Sequence, residues 1–331
     1  MSGCSRRGYL RPDFITLERH GVNANSLRRF NPDALRAAPA DPTPPQIRAV
    51  PRSYWPMVAW GIVYFTITAL TRWLFHYQHH RPVKVLSALP WLRSPLSKVW
   101  FRWAERGATR RLTGEWSGRF FLVPLQVHND AQVVCHAGPG GVPGFIADTI
   151  ASFGRAAPDD AVLVFKHHPM DRGYCDYTRT IRRAARAAGC MPRVVYIHDQ
   201  HMPTILPHCR GAVVINSTSG LAAIGCGRPT NTTGAAIYDM PGLTYQRPLD
   251  QFWAEAPDNP PDTHLYERYR AELIAQTQIN GNFYRRLDPA VSATGLIWTR
   301  TTRRSADIVR FPIKGSSSAA PLARPPERAT I

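Results

Sequence analysis

Ala161-Val162-Leu163-Val164-Phe165, followed by Lys166-His167-His168-Pro169-Met170-Asp171-Arg172-Gly173-Tyr174, is the stretch on which the fold turns. An apolar run that ends in a charged, proline-bearing turn reads as a buried strand leaving a sheet at its carboxyl edge. The pattern returns at 211–215, which runs into Asn216-Ser217-Thr218-Ser219-Gly220. Between them, 193–197 ends in His198-Asp199-Gln200-His201, and upstream 120–125 ends in Gln126-Val127-His128-Asn129-Asp130-Ala131-Gln132. Strands alternating with helical stretches predict a parallel α/β sheet, and the carboxyl edge of such a sheet is where ligands bind.

The polar turns carry the chemistry of an anion site. Hydroxyls and N–H groups of Ser217, Thr218, Ser219 and Gly220 would open a helix over 221–226, where unpaired donors and the dipole favour a phosphate, and Gly220 would let it come close. Lys166 adds a positive charge, and His168, stiffened by Pro169, is placed to donate a ring N–H, with His167 facing the other way. A Ser/Thr/Gly cluster after a strand also serves as an ordinary helix cap. Three such turns in succession, however, form half of a nucleotide-binding domain.

Charge is unevenly spread. Of the formal +18, residues 1–120 carry +13 (19 Lys/Arg against 6 Asp/Glu), residues 121–299 balance at 15 against 15, and residues 300–331 carry +5 (7 against 2). The nucleotide-binding stretch is thus an ordinary neutral domain, while the first half faces something anionic. No zinc-finger, helix-turn-helix or RNA-binding signature accompanies the arginines, which speaks against nucleic acid. The uncharged run 57–71, with Trp55, Trp60, Trp73 and Tyr77 around it, suits a lipid interface or a buried core helix, and falls short of the roughly 20 residues of a span. The polar, basic N-terminus is no secretory signal, and six cysteines without a CxxC fit a reduced cytoplasmic protein. His198 and His201 and the doublets His79-His80 and His167-His168 lack a ligand quartet, so no metal site is expected.

Organisation follows from punctuation. Residues 38–51 are a Pro/Ala-rich linker, and 54–111 are mostly helical with interruptions at Pro82, Pro90 and Pro95. Helices are expected at 145–153 and 179–188 and a closing one within 262–287; the tail from 288 to 331 has the composition of a disordered segment. The division this suggests is a basic, largely helical lobe at 1–118, a nucleotide-sugar-binding Rossmann-like lobe at 119–287, and the tail.

The segments GYLRPDFITLERHGVN, YQHHRP, FFLVPLQVHNDAQV, KHHPMDRGYCDY, VVYIHDQHMPTIL, GAVVINSTSGLAAI, AIYDMPGLTYQ and TQINGNFY, in this order over residues 8–287, closely resemble the KpsS-type capsular polysaccharide synthesis and export proteins of Gram-negative bacteria. The resemblance implies a GT-B-like α/β fold of two Rossmann-type lobes and a β-Kdo glycosyltransferase. Such an enzyme moves 3-deoxy-D-manno-oct-2-ulosonic acid from CMP-Kdo, without a cofactor, onto lyso-phosphatidylglycerol or the growing Kdo linker. It would work peripherally on the cytoplasmic face of the inner membrane among other capsule synthesis and export proteins. Carried over, His168 and Pro169 hold the CMP phosphate, with Asn216, Ser217, Thr218, Ser219 and Gly220 as the second clamp. Lys166 and Arg172 meet phosphate or the Kdo carboxylate, and Asp199 and Gln200 meet ribose or cytosine. Asp130 is the expected catalytic carboxylate of a retaining reaction, with His128 beside it to shuttle a proton; capping of the next turn is its structural alternative. Family members begin with strands and a glycine-rich loop upstream of GYLRPD, so the resemblance also implies a truncated first lobe, from a misassigned start or a fragment. The competing readings are a non-catalytic partner in capsule assembly and another CMP-sugar enzyme of this shape, such as a sialyltransferase or an epimerase.

Overall fold

The computed structural model describes residues 3–5, 9–10, 13–18, 21–38, 47–50, 54–71, 89–128, 130, 133, 140–281 and 297–298. Their strands fall into two sheets. In the first, β1 (Gly3–Ser5) and β2 (Phe14–Glu18) pair antiparallel with each other. In the second, β3 (Phe120–Pro124), β4 (Val162–Lys166), β5 (Val194–Ile197), β6 (Gly211–Val214) and β7 (Thr230–Thr232) run parallel in the order β5-β4-β3-β6-β7. Two late strands, β8 (Gln278–Asn280) and β9 (Ile297–Trp298), complete the first sheet, with β8 antiparallel to β2.

Side-chain alternation explains the parallel sheet. Phe121, Val123, Leu163, Phe165 and Val213 point to one face, while Phe120, Leu122, Val162, Val164 and Ala212 point to the other. Both faces are covered, so β3, β4, β5 and β6 are runs of apolar residues, as parallel strands are, while the edge strand β7 is Thr-Asn-Thr. The helices Gly141–Ala156, Thr178–Ala187 and Leu249–Glu255 bring their apolar sides to the first face. Trp253 lies at its centre, edge-on to Phe121 at 5.0 Å and to Phe153 at 5.3 Å, with its indole N–H donating to Ser152 Oγ at 2.8 Å. Leu112, from the helix Ala108–Thr113, joins Ile205 and Leu206 on the second face.

A third cluster joins the ends of the chain: Tyr9, Phe30 and Leu35 pack with Tyr238, Leu265, Tyr269 and Leu273. Contacts therefore run across the division expected at residue 118, because β2 finds its hydrogen-bonding partner in β8, 262 residues later at Thr16 and Gln278. Pro90 and Pro95 do not interrupt the helical region where expected. Both lie within the helix Leu89–Ala104, Pro90 in the first turn, where no intrahelical N–H bond is lost. No helix among the described residues is long and apolar enough to cross a membrane. The expected tail lies outside the described residues apart from 297–298, and so do Pro82, Trp73, Tyr77, His79 and His80.

Candidate functional site

Strand order in the parallel sheet reverses between β3 and β6, and the crevice at their carboxyl ends is the topological switch point where such sheets take ligands. Gln126 and Asn216 face each other across it: Gln126 Nε2 donates to Asn216 Oδ1 at 3.0 Å. The turns after β3, β4, β5 and β6 all leave this edge, so the residues singled out in the sequence share one end of the sheet. Asn216 Nδ2 is buried with no hydrogen-bond partner among the described residues, an orphan donor beside the Ser217 turn.

The closest catalytic geometry joins the turns after β3 and β4. Asp171 is 0% exposed, and its carboxylate accepts the backbone N–H of His128 at 2.7 Å and His128 Nδ1 at 2.6 Å. Nδ1 is thereby the donor, and the other ring nitrogen, Nε2, is left to exchange a proton. The His128 side chain is 32% exposed, so the dyad opens to ligand. Asp130 lies two residues on, in a turn closed by its own N–H on Val127 O at 2.9 Å. Cys175 joins His128 and Asp171 within 4.8 Å, a trio of metal-ligand types. The 2.6 Å between nitrogen and carboxylate is a hydrogen bond, and burial followed by Asp171 raises the Cys175 thiol away from thiolate.

Around the dyad the expected residues divide. His168 caps a short 3₁₀ turn beginning at Pro169, and its Nδ1 accepts Met170 N–H at 3.1 Å, which fixes the ring hydrogen on Nε2, the form a phosphate needs. His167 turns into the interior as expected, with Nδ1 2.6 Å from Tyr196 Oη. Burial, then His198 and Arg172, push it down to about 3, so it is neutral. Lys166 is buried at the end of β4; burial lowers it to about 8 against the pull of Asp199. Binding of an anion that relies on its charge is expected to weaken as pH rises through about 8. The limit is roughly tenfold per pH unit, the loss of one proton. A Lys166→Met variant titrated with CMP across pH 7 to 9 should lose that dependence.

Several of the expected donor-site residues have partners of their own within the fold. Arg172 and Asp199 pair with each other, Nη2 to Oδ1 at 2.6 Å, with the arginine side chain 1% exposed. Gln200 is held at both ends, Nε2 donating to Glu105 Oε2 at 3.0 Å and Oε1 accepting from Thr109, which fixes its amide at the end of β5. Glu105 also accepts His198 Nδ1 at 2.6 Å and His198 N–H at 3.0 Å; burial alone would raise its carboxyl, but these bonds outweigh it and the net shift is downward. The helix Thr218–Gly225 starts three residues earlier than expected, with Ser217 as its cap, so Thr218, Ser219 and Gly220 form its first turn. Packing also requires Gly220 to be small. A Cβ there would meet the phenol of Tyr238, whose Cζ lies 2.8 Å away and whose hydroxyl donates to Ser217 O. Gly220→Ala should cost about 1–3 kcal/mol by overpacking, measured by urea unfolding, and Tyr238→Phe should restore part of it.

Residues the sequence reading passed over complete the frame. Asn23, at a left-handed φ of 57° that asparagine tolerates, donates through Nδ2 to Asn216 O at 2.7 Å and accepts Ile237 N–H at 3.1 Å. The N-terminal segment thus braces the Ser217 turn. Asp171 and Asn23 stood in quoted motifs, but only the tertiary contacts give them partners.

The capsule polysaccharide biosynthesis protein family model matches residues 6–284, which contain every one of these turns. The chain belongs to that family. Among curated members of the capsule proteins it is 38% identical to the capsule polysaccharide export protein KpsS of Escherichia coli, over 84% of this chain and 71% of that one. It is also 38% identical to the capsule polysaccharide modification protein LipB of Neisseria meningitidis, over 84% of this chain and 67% of that one. Among solved structures, KpsC of Thermosulfurimonas dismutans, a β-Kdo 2,7 transferase, aligns with a TM-score of 0.41 at 14% identity, covering 82% of this chain and 68% of that chain.

Proposed function

We propose that this member of the capsule polysaccharide biosynthesis family is a retaining β-Kdo glycosyltransferase of GT-B-like design. It transfers Kdo from CMP-Kdo to a (lyso)phosphatidylglycerol acceptor to build the poly-Kdo linker of the capsule. Residues 119–287 form its donor lobe, and the basic first half faces the acceptor at the inner membrane, among other capsule proteins. The observation that carries the reading is the His128–Asp171 dyad at the switch point, between the His168 turn and the Ser217 turn.

The chemistry runs in two displacements. Asp130 Oδ bonds to the anomeric carbon as the bond to the phosphate oxygen breaks, and CMP leaves with that electron pair. Its charge is met by Lys166, the His168 Nε2–H and the N–H groups of the first turn after Ser217. The acceptor hydroxyl then gives its proton to His128 Nε2 while its oxygen displaces Asp130, and two inversions retain the configuration. No cofactor takes part.

CMP should raise the melting temperature, and His168→Ala should abolish the rise. Transfer from CMP-Kdo to a lipid acceptor should vanish in Asp130→Asn. Indifference to CMP, or full transfer by either variant, would refute the corresponding assignment. The export name carried by the Escherichia coli relative favours a second reading, a non-catalytic partner in capsule export. It requires no turnover at all, and the same assay separates the two; substituting CMP-sialic acid tests other CMP-sugar chemistry.

A further inference from the structure

The helices Tyr54–Thr71 and Leu89–Ala104 present apolar side chains that nothing in the donor site uses. On the first, Trp60 is 65% and Leu70 69% exposed; on the second, Leu96 is 73% and Trp100 60% exposed. Among the described side chains of the first helix only Val58 and Thr68 are buried. A helix apolar around its circumference is ordinarily found inside a core or in lipid, and among the described residues none of this helix joins the three core clusters. The two helices meet, with Lys98 Nζ 5.6 Å from the Trp55 ring centre.

Charge identifies the partner. Tyr54–Thr71 holds no ionisable acid or base other than tyrosine, and Leu89–Ala104 holds Arg93, Lys98 and Arg102 and no acid. Arg106 follows, its guanidinium 4.8 Å over the Trp103 ring. Tryptophans at the edge of an apolar face, rimmed by arginine and lysine without acids, match the boundary between acyl chains and anionic headgroups. Neither helix is long and apolar enough to cross.

We infer that this helix pair is a monotopic docking face for an anionic phospholipid bilayer. The second helix ties the face to the site: Phe101 stacks on His198 at 3.6 Å and 4°, and Glu105 holds the turn after β5, so Trp100 and Trp103 project from the element that buttresses the sheet edge. Docking there presents lipid beside the donor site. The inference deepens the proposed reading and rests on it only for the use made of that proximity; the face itself stands on exposure and charge.

The test is cosedimentation of the full chain with vesicles, without donor. Wild type should bind phosphatidylglycerol/phosphatidylethanolamine vesicles with a blue shift of tryptophan emission, bind phosphatidylcholine weakly, and release at high salt. Trp60→Glu with Trp100→Glu should weaken binding at least about tenfold, while circular dichroism and melting temperature stay as in wild type; Arg102→Glu with Arg106→Glu should remove the preference for anionic lipid. Wild type left in the supernatant, or equal binding by the tryptophan variant, overturns the inference. So does a wild-type dimer that the tryptophan variant dissolves with vesicle binding intact, which would give the face to a second copy. Vesicle binding without Kdo transfer would refute the donor reading alone, and transfer to a soluble acceptor without vesicle binding would refute the docking face alone.

Discussion

Asp171→Asn should lower Kdo transfer by about 10²- to 10⁴-fold, the range lost when a general base is removed or held in the wrong tautomer. The carboxylate accepts both the backbone N–H and Nδ1 of His128, so it fixes the ring's rotation and its proton together. An asparagine of the same shape can keep one bond, but it has a single acceptor oxygen and would present an N–H to one of the two donors. His128→Ala should lose a similar amount, and the double variant little more than either alone, because the two act as a unit. Affinity for CMP, read by thermal shift, should survive in Asp171→Asn, since the phosphate is assigned to Lys166, His168 and the Ser217 turn and not to the Asp171 carboxylate. A variant that transfers Kdo at the wild-type rate would remove the dyad from the mechanism.

How much of this was legible beforehand depends on whether a contact is local. Alternation and apolar runs marked β3, β4, β5 and β6, because strands covered on both faces are apolar throughout and end abruptly in polar turns. His168 was legible too, since Pro169 fixes the turn and the ring bonds a backbone N–H two residues on. The partners of polar side chains were not. His128 meets Asp171 across 43 residues, Glu105 meets His198 across 93, and Asn23 meets Asn216 across 193. No periodicity encodes those meetings. Gly220 shows the same limit from the other side: a glycine in a Ser/Thr turn suggests an open backbone, and only the fold shows that Tyr238 occupies the place of its missing Cβ. β2 was missed because it is only five residues long and its partner β8 lies 262 residues away at Thr16 and Gln278.

The buried charges set the largest expected effect on stability. Asp199→Ala should destabilise the protein by about 3–5 kcal/mol, the usual cost of leaving one partner of a buried ion pair behind. Arg172 would keep its charge with its side chain 1% exposed, and Lys166, which Asp199 pulls upward, would fall further and surrender its proton more readily. Arg172→Met alone should cost less, because Lys166 stands near enough to answer the Asp199 carboxylate. The double variant should recover part of the loss, since removing both charges removes the desolvation that each imposes. Urea unfolding without nucleotide measures all three. Were Asp199 a ligand contact and nothing more, its loss would leave unfolding unchanged and weaken only CMP; a loss of stability with no ligand present assigns it to holding the turn after β5 against the turn after β4, the turn that carries Asp171 of the dyad.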